Sequence, residues 1–559
     1  MCGFIYQQKK KSNFNINSFL FKKASRLIFH RGPDSKSYLQ NKNINVFHSR
    51  LKIIDLNQRS NQPMTRNGYT IIFNGEIYNF KELRKELQKN FDFKTYSDTE
   101  VLLFSYLKWK EKMFNKINGM FSFVIFNNNK KELFFARDLF GQKPLYFYND
   151  KNQIIFSSEI KPILMLNGLK KIQFEDKEIS KYLHHNFYGN TRNTFFKDIF
   201  QVEPGRFGFF KKNKLITKKI KYKNTNFTPN IRNVNTIINK EIGEHLVSDV
   251  ETAIMISEGV DSKSILDISR KVYKKNLKLF NLEFENFDNK EFRKEYYKKK
   301  NVNLILTKFS KKQMFKNFKY AAEICEAPPL SLFTLGMINL FKKIKDQKIK
   351  VVLNGQGVDE IFGGYNLLYI KKKKGNYYHP DGTILSDNKK IYKYKSKIIS
   401  NLTNNLTVKR NYMAFNSKIP KNLNQYDKIS MKYSIECRSP YLTKTLANLL
   451  NKLKSKHLYN YGHKKYLFRK CLFNQTKDKF YFKPKIFKQA PQTEYMLDRY
   501  NLGKIERLIK KDNLCDKFFI KKNLIRYFYD FKNKKNNGFI IWQYLSLNYF
   551  LDYFKKFNS

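Results

Sequence analysis

The tightest constraint on the fold is an alternation that begins near residue 250. Residues 252–256 form a short apolar run that enters a Gly-containing turn and then a helical stretch over 261–272. Residues 277–284 form a second such run, and 350–353 a third that closes on another Gly-rich turn. Strands separated by helices predict a parallel α/β sheet. The first 210 residues have a different rhythm, with short β runs broken by turns. Residues 71–73 enter Asn74-Gly75, which reads as a hairpin turn. Asn127-Asn128-Asn129 joins the runs 121–126 and 132–136, and a further turn joins 145–148 to 153–156. Helices are expected over 78–87 and 98–109. Residues 211–230 are polar and irregular and read as a linker. The expected division is therefore 1–210, a linker at 211–230, and 231–559. Long helical patterns dominate from Ile391, and Lys371–Lys374 with the following Gly375-Asn376-Tyr377-Tyr378 reads as a solvated loop.

Composition narrows the function classes. The chain has 559 residues, long enough for two or more domains. Its net charge is +62, which invites a nucleic-acid or anionic-membrane reading. Only 18 of the 109 basic residues are Arg, however, and dedicated phosphate readers favour the Arg fork. Lys, Asn, Ile, Phe and Tyr, all abundant, share AT-rich codons, so the charge reads as compositional drift. A Lys-rich nucleic-acid-binding protein ranks far below an enzyme. No apolar run reaches about 18 residues, so no membrane span is expected. Five scattered cysteines argue against a disulfide framework and a Cys zinc site. A cytoplasmic location is the expectation.

Chemistry gathers first at the N-terminus. Cys2 follows Met1, and loss of Met1 would set its thiol beside its own α-amine, a base near pKa ~8. Ordered fragments follow: Arg31-Gly32-Pro33-Asp34, His48-Ser49-Arg50-Leu51, Gln62-Pro63-Met64, Asn74-Gly75-Glu76, Ser97-Asp98-Thr99-Glu100, Ala136-Arg137-Asp138 and Gly141-Gln142-Lys143-Pro144. Singly these read as a surface arginine, a turn and a helix cap. Jointly their order and spacing resemble the class II, N-terminal-nucleophile glutamine amidotransferase domain.

A second cluster is Ser257-Glu258-Gly259-Val260-Asp261-Ser262, between a strand and a helix, where backbone N–H groups face an anion. It resembles the pyrophosphate loop of ATP-pyrophosphatases. The run from Asn354-Gly355-Gln356-Gly357-Val358-Asp359 to Gly364-Tyr365 resembles the second nucleotide loop of asparagine synthetases. Asp427–Met431, Ser434–Leu442, Lys464–Arg469 and Ala490-Pro491-Gln492 fit that family too. The resemblance is to glutamine-dependent asparagine synthetase and its relatives, from residue 2 to about 495.

The resemblance implies an N-terminal four-layer α/β/β/α Ntn-hydrolase domain and a C-terminal doubly wound parallel α/β ATP-pyrophosphatase domain with added helices. It implies that Cys2 attacks glutamine, with Asn74 and the Gly75 N–H stabilising the oxyanion. Arg50 would bind the glutamine α-carboxylate, and Glu76 with Asp98 its ammonium. Ser257, Gly259, Asp261 and Ser262 would cradle ATP phosphates, and Asp261 and Asp359 would hold Mg²⁺. Met255, Leu282, Asn354 and Gly355 would flank the adenosine, and Lys465 would neutralise the pyrophosphate and the acyl-AMP. Ammonia would cross an internal tunnel to the activated carboxylate, with aspartate the default acceptor and a uronic acid the alternative. A glutaminase-only scaffold is a third reading. A homodimer is possible by analogy with relatives. Glu436 and Arg438 read equally as a structural ion pair and as part of a site. Four departures stand out: Glu258 for a loop Gly, Gln356 for Glu, residues 301–303 for a His-containing stretch, and Thr443 for Asp. Residues after about 495 match no motif, although 539–542 suggest a packed helix.

Overall fold

The computed structural model describes residues 2–130, 132–168, 171–186, 188–223, 227–275, 277–287, 302–368, 405–483 and 490–557. The loop expected at 371–378, the start of the helical pattern at 391, and residue 301 lie outside them.

The N-terminal half contains two six-stranded antiparallel sheets. The first joins β1 (Gly3–Lys9), β2 (Ser35–Gln40), β3 (Ile44–Arg50), β8 (Tyr146–Asn149), β9 (Gln153–Ser157) and β10 (Phe200–Gln201), in the order β10-β8-β9-β1-β3-β2. The second joins β4 (Met64–Arg66), β5 (Tyr69–Ile77), β6 (Gly119–Asn127), β7 (Leu133–Arg137), β11 (Arg206–Lys211) and β12 (Lys214–Lys219), in the order β12-β11-β7-β6-β5-β4. The two-residue period of the strands builds the layers. Phe4, Tyr6 and Val46 meet Ile72, Val124 and Phe135 between the sheets. Ile5 and Phe47 point the other way, onto Phe21, Ala24 and Ile163 of the helices Ser18–Arg26 and Ile160–Leu166. Ile71 and Phe73 likewise pack on Leu83 and Leu102 of the helices Phe80–Leu87 and Asp98–Trp109. The result is the expected α/β/β/α sandwich. Each buried Ile or Phe contributes about 1.5–3 kcal/mol. A one-residue slip would expose a whole face of them, so the core fixes the register.

Two local expectations change. Asn74-Gly75 is not a turn; it lies inside β5, with Gly75 opposite Phe121 of β6. A Cβ on Gly75 would stand 2.1 Å from the Met120 carbonyl oxygen, so glycine here serves close strand approach. The polar stretch read as a linker contains β12, which pairs with β11 along its length. It is an edge strand, and its lysines are the charge that protects such edges.

The C-terminal half carries a five-stranded parallel sheet. Its strands are β13 (Thr252–Met255), β14 (Lys278–Phe284), β15 (Leu304–Phe309), β16 (Val351–Leu353) and β17 (Glu436–Arg438), in the order β15-β14-β13-β16-β17. All four pairings are parallel. From β13 the chain runs outward to β14 and β15, then returns to β16 on the other side. The reversal opens a crevice at the carboxyl ends of β13 and β16, where ligands bind in such sheets. Beyond residue 495 the helix Phe539–Lys555 packs on Met314–Cys325, with the Trp542 and Phe318 rings 4.6 Å apart. Among the described residues, no helix is long and apolar enough to cross a membrane.

Candidate active sites

Cys2 immediately precedes β1 and is 7% exposed. Its backbone N–H donates to Asn74 Oδ1 at 3.3 Å, and its carbonyl accepts from Arg31 Nε at 3.1 Å. Burial pushes the thiol pKa up, while the N-terminal charge, the Leu51 backbone and Arg50 pull it down. Asn74 Nδ2 is buried and has no partner among the described residues. A buried amide donor beside a nucleophile is what a developing oxyanion requires.

Arg50 is tied to the 54–61 loop. It donates to the carbonyls of Asn57 (2.7 Å), Ile54 (3.2 Å) and Asp55 (2.5 Å) and to Asn61 Oδ1 (3.0 Å). Asp98 starts its helix behind the Ser97 cap, and its Oδ2 accepts from the Ile77 N–H at 3.0 Å. Burial raises the Asp98 pKa to about 6. Glu76 is raised further, by burial and by Asp98, against the pull of Arg438. Cys2, Arg50, Asn74, Gly75, Glu76 and Asp98 are therefore brought together at one place, where the start of β1 meets the end of β5 and the head of the helix Asp98–Trp109.

The second set gathers in the crevice of the parallel sheet. Met255 ends β13, and Leu282 lies on the neighbouring β14. Ser262 Oγ accepts from the Ser257 N–H at 2.9 Å, and the two hydroxyls are 3.0 Å apart. Gly259 caps the helix Val260–Lys271 without a side chain, leaving its first N–H groups open to an anion. From the facing loop, Asn354 Oδ1 accepts from the Gln356 N–H at 2.9 Å, and Gly355 backs onto Asp261 and Ser262. Lys465 Nζ bridges the two loops: it lies 2.7 and 2.8 Å from the Asp261 oxygens and 2.5 Å from Asp359 Oδ1. Lys465 adopts φ +57°, a costly region for a side-chain-bearing residue and a common one at functional sites. A Cβ on Gly364 would fall 1.7 Å from Asp359 Oδ1, so the loop closes on the pair only with glycine.

The departures also find places. Glu258 is half-buried, and no ion pair or hydrogen bond holds its side chain among the described residues. Gln356 lines a small cavity with Lys143, Tyr426, Asp427, Cys437 and Ser439. Thr443 caps the helix Lys444–Lys452, a job that Thr and Asp share, so that change keeps its local role.

A seam of buried charge joins the two sites, and sequence reasoning gave Arg31, Lys143, Glu159 and Asp427 no role in it. Arg31 donates to Glu159 (3.1 Å) and, across the halves, to Asp427 (2.8 Å). Lys143 reaches Asp427 at 3.3 Å. Arg438 binds Glu436 at 2.6 Å and Glu76 at 3.2 Å. The ion pair Glu436–Arg438 is therefore real, and it sits on β17. The signal for Arg31 and Asp427 was their place in matching fragments; Lys143 had none beyond that.

The fold and these two pockets define an Ntn-type glutamine amidotransferase fused to a nucleotide-type parallel-sheet domain. Comparison with known proteins agrees. Residues 1–222 match the glutamine amidotransferase domain family, and residues 233–552 the asparagine synthase family. Asparagine synthetase [glutamine-hydrolyzing] 1 of Bacillus subtilis is 30% identical over 537 residues, 84% of each chain. Amidase chry2 of Gibberella zeae is 27% identical over 371 residues, 61% of this chain and 54% of that one. A solved B. subtilis glutamine phosphoribosylpyrophosphate amidotransferase aligns at 13% identity and TM-score 0.30, covering 49% of this chain and 64% of that one. The chain belongs to the asparagine synthase family, and it is a glutamine-hydrolysing ligase of the amidotransferase type.

Proposed function

We propose that the protein transfers the amide nitrogen of glutamine to aspartate, yielding asparagine, glutamate, AMP and pyrophosphate. Removal of Met1 frees the Cys2 amine, which takes the thiol proton. The thiolate attacks the glutamine carboxamide carbon, and Asn74 Nδ2 and the Gly75 N–H receive the oxyanion. The amine returns the proton as ammonia leaves, and water hydrolyses the thioester to glutamate. In the second pocket an acceptor carboxylate oxygen attacks the α-phosphorus of ATP, and pyrophosphate departs. Ammonia, passed between the pockets, attacks the acyl carbon and releases AMP.

Asp261 and Asp359 offer two hard oxygen donors, and the Lys465 ammonium between them supports a place built for positive charge. These residues fit Mg²⁺, which when bound neutralises phosphate charge. Lys465 would then serve the pyrophosphate and the acyl-AMP. Ser257, Gly259 and Ser262 would hold the phosphates, and Met255, Leu282, Asn354 and Gly355 the adenosine. Arg50 would take the glutamine carboxylate.

The observation that carries this reading is the seam, which ties an amide-cleaving pocket to a carboxylate–lysine pocket in one chain. A second acceptor class, such as a uronic acid, draws support from Gln356, a neutral amide in the cavity beside the nucleotide loop. The test is incubation with glutamine, ATP, Mg²⁺ and candidate acids, following glutamate, AMP and pyrophosphate. AMP with aspartate and an asparagine product supports the first reading. AMP only with another acid selects the second. Glutamate without AMP for any acid sinks both.

A further inference from the structure

Arg438 does more than neutralise its neighbour. Its guanidinium is fully buried, lies 5.7 Å from the Tyr78 ring and makes four hydrogen bonds. Nε donates to Glu436 Oε1 (2.6 Å), and Nη1 to the carbonyls of His245 (2.8 Å) and Val247 (2.6 Å). These hold the fork to the synthetase half. Of the four hydrogen bonds, the one from Nη2 crosses the seam, to Glu76 Oε2 at 3.2 Å.

Glu76 stands two residues beyond Asn74 on β5, so both side chains leave the same face, the one that meets Cys2. Glu76, Asp98 and Glu436 are all buried, and each senses Arg438. Burial keeps Glu76 and Asp98 raised in spite of Arg438, so a substrate ammonium arriving beside them would favour their ionised forms.

The backbone of the same segment grips the nucleotide loop. The Arg438 carbonyl accepts from the Asn354 N–H at 2.9 Å. Cys437 Sγ accepts from Asn354 Nδ2 at 3.0 Å, and Ser439 Oγ donates to Asn354 Oδ1 at 3.1 Å. The seat of Arg438 is thus set by the loop that borders the other pocket.

We propose that Arg438, supplied by the synthetase half, is a positioning residue of the glutamine pocket: it aims the Glu76 carboxylate at the substrate α-ammonium. This rests on the reading that Cys2 hydrolyses glutamine. Arg438 touches no reacting atom; it acts through Glu76.

The test compares glutamine with 4-carbamoylbutanoate, the same amide without the α-ammonium. The wild-type chain should prefer glutamine. Arg438→Lys keeps the charge but loses the fork. Its kcat/KM for glutamine should fall about tenfold, through KM, the worth of one charge-assisted hydrogen bond. Its kcat/KM for the analogue should stay put, so the selectivity ratio collapses. Equal losses on both substrates would mean a merely structural role and overturn the proposal. Should Arg438→Lys fail to fold, Glu436→Gln loosens the same fork from its far side. It should lower the ratio in the same direction, and an unchanged ratio there also overturns the proposal. A wild-type chain that releases no glutamate from glutamine overturns the underlying reading instead, and is told apart by that alone.

Discussion

Replacing Arg31 with methionine probes the seam where it is driest. Arg31 is fully buried and donates to Glu159, Asp427 and the Cys2 carbonyl. Methionine keeps much of the bulk and removes the charge and every donor. Both carboxylates are 2% exposed, but neither is stripped bare. Glu159 keeps His30 at 3.0 Å, and Asp427 keeps Lys143 at 3.3 Å. Breaking a buried pair costs about 3–5 kcal/mol, and the remaining cations place this case near 3. With a urea slope of roughly 3 kcal/mol per M, the unfolding midpoint should drop by about 1 M.

The chain offers its own probes, because Trp109 and Trp542 are its two tryptophans and lie one in each half. Trp→Phe single variants let each half report separately. With the seam intact the two transitions should coincide, and in Arg31→Met they should separate. Acid provides the second arm. Burial alone would raise Glu159, but His30, Arg31 and Lys161 outweigh it and hold its pKa well below the usual range. A depressed carboxylate stabilises above its unfolded pKa, about 4.3, and loses that contribution as pH falls through the folded value. The gap between wild type and variant should therefore shrink on acidification below about pH 4. A midpoint drop under about 0.3 M, or a gap unchanged by acid, would refute a dry, charge-coupled seam.

Four further outcomes follow from the same geometry. Cys2→Ala should abolish glutamate release from glutamine while ammonia-driven AMP formation persists; loss of both would contradict two separate pockets. Lys465→Met should cut acceptor-dependent AMP formation about 10²–10³-fold, as removal of one preorganised charge does, and leave glutamine hydrolysis in place. Gly75→Ala, forced against the Met120 carbonyl, should lower glutamine hydrolysis about 10²-fold, measured as glutamate release. Burial raises Asp98 to about 6, so kcat/KM for glutamine should fall as pH drops below about 6, where protonation removes the charge meant for the α-ammonium. Asp98→Asn should flatten that limb.

Much of both pockets was legible because reactive residue types stood in ordered fragments. Asp261, Asp359 and Lys465 were named from three separate segments, and the fold brings them within bonding distance. The strands 252–256, 277–284 and 350–353 announced themselves through apolar runs ending in turns. β17 did not, since Glu436-Cys437-Arg438 has two charges in three residues and pairs only because β16 lies beside it. Asn74-Gly75 misled because a dipeptide preference is local, whereas β6 supplies a partner from far along the chain. β12 was hidden by the polarity that an exposed edge strand needs. Arg31, Lys143 and Asp427 were opaque for another reason. Their meaning is a pairing across the two halves, and nothing local marks one Lys among 91.

That last point also settles how the +62 charge should be read. Five lysines are buried among the described residues: Lys143, Lys161, Lys263, Lys428 and Lys465. Taking an ammonium out of water costs several kcal/mol, so a buried lysine persists only with a partner. Each of the five has one. Lys143 meets Asp427, Lys263 meets Asp267 and Asp478, Lys428 meets Glu326, and Lys465 meets Asp261 and Asp359. Lys161 donates to the Glu323 carbonyl. Surface lysines bear no such cost and gain little from their ion pairs, so their number can drift without touching the fold. The excess charge is therefore a property of solvated positions. Four of the five cations that have given up their water are placed by carboxylates, not by the net charge, and Lys465, the one proposed to serve the chemistry, is among them.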